Sequence, residues 1–98
     1  MSGEHLYIVT YDIADDKRWR AVFKLMRGFG EWMQLSVFQC RLTRSRHVEL
    51  MRRLTDTISL SDDHVLVVDL GVADQVEPRV HSLGKRGFDA IERTPVIV

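Results

Sequence analysis

The sequence predicts an α+β sandwich, and three observations carry that expectation. β-Branched, apolar runs alternate with amphipathic stretches in the order β-α-β(β)-α-β. The amphipathic stretches number only two, enough to cover one face of a sheet. Two of the strands, 5–11 and 64–70, are apolar at consecutive positions, so the sheet asks for burial on its other face as well. With 98 residues and 45% hydrophobic content, one modest core is expected, in a single domain over 1–98 with 79–98 as a C-terminal strand extension.

Each element follows from local chemistry. "HLYIVTY" (5–11) is a β-branched and aromatic run closed by Asp12 and reads as a strand. In "DDKRWRAVFKLMRGFG" (15–30), Trp19, Val22, Phe23, Met26 and Phe29 fall at helical spacing; Asp15 or Asp16 offers an N-cap, and Gly28 or Gly30 a C-terminal stop. "EWMQLSVFQCRL" (31–42) is strand-like but long for one strand, so a tight hairpin or kink is expected near Leu35 and Ser36. A second helix over 45–58 places Val48, Met51, Leu54 and Ile58 on one stripe. "SLSDDH" (59–64) is a turn, "HVLVVDL" (64–70) a strand, "RVHSLG" (79–84) a short strand, "KRGFDAIER" (85–93) a loop, and "PVIV" (95–98) a terminal strand. This order is that of a ferredoxin-like βαββαβ sandwich with an extra C-terminal strand. Its uncovered sheet face is satisfied most economically by a homodimer packed sheet against sheet, the terminal strand pairing with the partner's edge.

Formal net charge is zero, but ten of the 14 Lys and Arg lie between Lys17 and Arg53, opposed there only by Glu31 and Glu49. A basic middle stretch suits phosphate contacts from Lys17, Arg18, Arg20, Arg27 and Arg41, and suits a solvated surface equally well. The single cysteine, Cys40, excludes an internal disulfide and a cysteine zinc site and reads as buried filler. No apolar run approaches the roughly 20 residues of a membrane span, so no membrane partner is expected and a cytoplasmic protein is the default. The four histidines form no ligand pair at helical spacing.

Chemistry, if present, falls to the three aspartates of "YDIADD" (11–16). Asp15 and Asp16, at a helix start, suit capping and the helix dipole. Asp12 alternates with Ile8 and Thr10 and so leaves the sheet end on their face. If that is the dimer face, two Asp12 carboxylates approach each other and require a proton or a cation between them. Magnesium, which uses one or two carboxylates with waters and phosphates, fits such a place; a turn-capping aspartate is the competing reading.

Two segments taken together, "YDIADDKRWRAVFKLMRGFG" (11–30) and "MQLSVFQCRL" (33–42), resemble the CRISPR-associated Cas2 family, small proteins that work with the Cas1 integrase in spacer acquisition. The resemblance implies a ferredoxin-like homodimer whose last strand crosses to the partner. It implies that Asp12 holds Mg²⁺, or Mn²⁺ in its place, at the dimer interface for phosphodiester cleavage in RNA or DNA. It implies further that Tyr11, Ser36 and Phe38 lie beside the cleft. Trp19 and Ala21 stand where some members carry arginines, and Gln39 replaces a frequent Glu. The family also includes members implied to act as DNA-binding scaffolds that bridge integrase subunits, without cleavage.

Overall fold

A computed structural model describes residues 3–84. Its elements are β1 (His5–Asp12), α1 (Asp16–Arg27), β2 (Glu31–Gln34), β3 (Val37–Leu42), α2 (Arg44–Thr57), β4 (His64–Val72) and a 3₁₀ turn (Ala73–Gln75). The four strands form one sheet in the order β2-β3-β1-β4, with every neighbouring pair antiparallel. β1 and β3 therefore lie at the centre. This is the expected ferredoxin-like arrangement of two helices against one side of an antiparallel sheet.

Alternation along the strands divides the residues between two faces. Tyr7, Val9 and Tyr11 of β1 and Phe38, Cys40 and Leu42 of β3 point toward the helices and are buried with Val22, Met26, Phe29, Leu50 and Leu54; Trp19, Phe23, Val65 and Val67 pack against that cluster. Ile8, Thr10 and Asp12 belong to the opposite face, where the register sets Ile8 beside Val68, Thr10 beside Leu66 and Asp12 beside His64. No helix among the described residues covers that face, and Leu66 stays 50% and Val68 38% exposed.

Helix α1 begins where Asp15, extended at φ −114°, accepts a hydrogen bond from Arg18 N (2.9 Å); Asp16 in the first turn and Lys24 and Arg27 in the last complement the helix dipole. It closes at Gly28. Two residues later, Gly30 lets the chain pass against β3: a Cβ there would lie 2.6 Å from the Gln39 carbonyl oxygen and strike Cys40 Sγ. The expected hairpin is present, with Leu35 and Ser36 between β2 and β3 and Leu35 at φ 42°, a left-handed conformation uncommon outside glycine. Trp32 Nε1 donates to Leu35 O (2.9 Å) and braces the turn.

Two expectations are corrected. In α2, capped by Thr43, the inward stripe runs through His47, Leu50 and Leu54, whereas Val48 is 60% and Met51 39% exposed. The physical reason is the core cluster, which takes Leu50 and Leu54, with Ile58 packed against it, while the Tyr7 ring stacks on His47 at 4.6 Å on the same side. Residues 79–84 form no strand. After β4 the 3₁₀ turn instead folds back on β1, with Ala73 N donating to Glu4 O (2.8 Å) and with Leu6 and Ala73 both buried. The expected loop over 85–93 and terminal strand over 95–98 lie outside the described residues.

Candidate functional site

Asp12 ends β1 on the uncovered face. It is exposed, and its carboxylate has no hydrogen-bond or ion-pair partner among the described residues. Directly across the ladder stands His64, also exposed, at a separation of Cβ atoms typical of cross-strand neighbours, about 5 Å. Among the described residues no group of three or more His, Cys, Asp or Glu could hold a metal ion. A free carboxylate on an open apolar face fits a hydrated divalent cation, but one chain supplies only part of such a site.

Immediately behind this point lies a different acidic residue, one that sequence reasoning left inside a turn. The Asp63 side chain is fully buried. Its Oδ1 accepts from Ala14 N (2.9 Å) and Arg18 Nη2 (3.2 Å), and its Oδ2 from Arg18 Nε (2.8 Å) and Ser59 N (2.8 Å). The Arg18 hydrogen bond above all, with the Ser59 and Ala14 amides, holds the carboxyl well below the usual range against the opposing effect of burial. Arg18, expected on the nucleic-acid surface, is thus turned inward with its Nε/Nη2 edge occupied.

Lys17, Arg20, Lys24 and Arg27 recur at helical spacing on the outer side of α1, opposite Trp19, Val22, Phe23 and Met26. All four are exposed. Lys17 and Arg20 have no ion-pair partner among the described residues, and Arg27 lies 5.9 Å from the centre of the Phe23 ring. Arg41 lies on the uncovered face, but at the end remote from Asp12, 3.5 Å from Asp74.

Tyr11 and Phe38, expected beside a cleft, are core residues, since odd positions of β1 and even positions of β3 face the helices. Phe38 is fully buried against Tyr11 and Phe23. Burial pushes the Tyr11 phenol up to about 12, with the Ser36 side chain countering in part. Ser36 is half-buried; its Oγ accepts from Trp19 Nε1 (3.0 Å) and its carbonyl from Tyr11 N (3.2 Å). These residues join the hairpin to α1 and β1. Cys40 is likewise buried, its thiol raised to about 12 by desolvation and then by the Glu31 charge.

The sheet order, the single covered face and an acidic strand end on the open face define a small ferredoxin-like α+β protein with an interaction surface opposite its helices. The family model described as CRISPR associated protein Cas2 matches residues 5–77. The chain belongs to that family. It is 54% identical over 95 residues to a CRISPR-associated endoribonuclease Cas2 of Geobacter sulfurreducens, covering 97% of this chain and 99% of the relative. Over 97 residues it is 52% identical to a CRISPR-associated endoribonuclease Cas2 of Rhodospirillum rubrum, covering 99% and 94%. A Thermus thermophilus relative, 40% identical over 75 residues and covering 76% and 81%, is named a CRISPR-associated endonuclease Cas2. Among solved structures, Streptococcus pyogenes Cas2 at pH 6.5 superposes with a TM-score of 0.71 at 34% identity, covering 81% of this chain and 99% of that one. No helix among the described residues is long and apolar enough to cross a membrane.

Proposed function

We propose that the protein is a metal-dependent endonuclease of CRISPR adaptation, active as a homodimer that brings together one Asp12 from each protomer. The observation that carries this reading is the Asp12 carboxylate, without a partner among the described residues, on the sheet face that neither α1 nor α2 covers. The names of its relatives, endoribonucleases and an endonuclease, support it.

In this reading Asp12 and its symmetry mate are the residues that would hold Mg²⁺, or Mn²⁺. When bound, the ion supplies a Lewis acid for the phosphodiester and lowers the pKa of water toward neutrality. The chain's own contribution is to place the two carboxylates, to keep their surroundings apolar through Ile8 and Leu66, and to carry the polynucleotide on Lys17, Arg20 and Arg27. Those cations neutralise phosphates without selecting bases, so RNA and DNA both remain substrates on chemistry alone.

The test is cleavage of single-stranded RNA and duplex DNA with Mg²⁺ or with chelator, by wild type and Asp12→Ala. A loss of at least about 100-fold, for a group that touches the reacting centre, is expected for Asp12→Ala. Equal cleavage by the variant overturns the mechanism.

A second reading, a non-catalytic DNA-binding scaffold that bridges Cas1 integrase subunits, is favoured by one observation: the cation stripe of α1 lies on the helix side, away from the face that bears Asp12. Under it, Asp12→Ala leaves spacer acquisition intact, whereas charge reversal at Arg20 and Arg27 abolishes acquisition.

A further inference from the structure

We propose that Asp63 is the positioning residue for Asp12, and that Arg18 is the counter-ion of Asp63 and not a phosphate contact. The proposal rests on the reading of Asp12 as a metal-holding carboxylate.

Asp12 has no side-chain partner of its own among the described residues, so its location is a property of the backbone on either side of it. Asp63 fixes both sides. Along the chain, Ala14, two residues beyond Asp12, donates its N–H to Asp63 Oδ1. Across the ladder, Asp63 immediately precedes His64, the residue paired with Asp12. The same carboxylate accepts from Ser59 at the start of the α2–β4 connection and from Arg18 in the first turn of α1. One buried side chain therefore ties the β1–α1 turn, the start of α1 and the start of β4 to a single point. A buried carboxylate satisfied by four donors is costly to rearrange, which makes it a rigid anchor.

The consequence is doubled by symmetry. In a twofold dimer, any displacement of Asp12 in one protomer recurs in the other, so the separation of the two carboxylates is doubly sensitive to the β1–α1 turn. Arg18 is spent in this role. Its Nε and Nη2 form one of the two edges through which a guanidinium meets a phosphate in a bidentate manner, and both donate to Asp63. Arg20 has no such engagement among the described residues.

The experiment measures Mn²⁺ binding to the full-length protein by electron paramagnetic resonance, without nucleic acid, for wild type, Asp12→Asn, Asp63→Asn and Arg18→Gln, with melting curves and dimer mass as controls. Folded, dimeric Asp63→Asn is expected to bind Mn²⁺ about tenfold more weakly, as is common when a supporting group of a metal ligand is lost, and its cleavage is expected to recover as Mg²⁺ is raised. Arg18→Gln should weaken Mn²⁺ binding in the same direction while leaving the salt dependence of nucleic-acid binding unchanged; Arg20→Gln should lower that slope by about 0.7–0.9. Wild-type Mn²⁺ affinity in folded Asp63→Asn, or a lowered salt slope in Arg18→Gln, overturns the proposal. If Asp63→Asn does not fold, Arg18→Gln decides by the same two readouts, because Asp63 then keeps its two backbone donors. Wild type that binds Mn²⁺ no better than Asp12→Asn overturns the reading of Asp12 itself, and this proposal with it.

Discussion

Two aspartates 51 positions apart, Asp12 and Asp63, differ in what surrounds their carboxylates: one is exposed without a partner among the described residues, the other buried with four donors. Asp63 also carries a pH signature. Its folded-state pKa is depressed below its unfolded value of about 3.9, so its stabilising effect is complete above that value and is lost as pH falls below about 4 toward the folded pKa. Melting curves of wild type and Asp63→Asn from pH 7 to pH 3 should therefore converge at the acid end, the wild type losing its advantage; a constant offset would remove Asp63 from the acid sensitivity. The motif around Asp12 made that residue visible in the sequence. Asp63 was not visible, because "SLSDDH" contains two adjacent aspartates in a turn and its decisive partners, Arg18 and Ala14, are 45 and 49 residues away. For the same reason Arg18 read as one of a row of surface cations: helical spacing alone does not tell which cation meets a buried acid.

At the scale of elements, local chemistry carried further. Helix α1, its Asp15 cap and the Leu35–Ser36 hairpin follow from spacing and turn chemistry and are found where expected. The stripe of α2 is found at Leu54 and Ile58 but not at Val48 and Met51, since Val48 and Leu50 are both apolar and local spacing does not tell which one meets the core cluster. Between α1 and β2 the geometry is unforgiving at Gly30. Gly30→Ala forces a methyl group against the Gln39 carbonyl, which is backbone and cannot swing aside, and against Cys40 Sγ. Denaturant unfolding should show a loss of about 1–3 kcal/mol. Gly28→Ala, where a Cβ meets only the Leu25 carbonyl at an ordinary 3.4 Å, should cost less. Equal losses at the two sites would mean that backbone freedom, and not the approach of β3, is what Gly30 provides.

For the whole molecule, the sequence asked for two covered sheet faces and supplied two helices, and among the described residues one face is covered. That imbalance was legible from consecutive apolar positions in β1 and β4, but which residues remain open depends on register. With Thr10 opposite Leu66 and Ile8 opposite Val68, the exposed apolar surface and Asp12 share a face, so the surface that would receive a second copy is the surface that would complete a metal site. Leu66→Lys combined with Val68→Lys tests this coupling. Both positions are already more than one third exposed, so the fold should survive; far-ultraviolet circular dichroism checks that. Light scattering should then give a monomer mass at concentrations where wild type is dimeric. Metal-dependent cleavage should fall with dimerisation although Asp12 is untouched, because each chain alone offers a single carboxylate. A variant that stays dimeric places the interface elsewhere, and a monomer that cleaves like wild type shows that Asp12 acts without its symmetry mate.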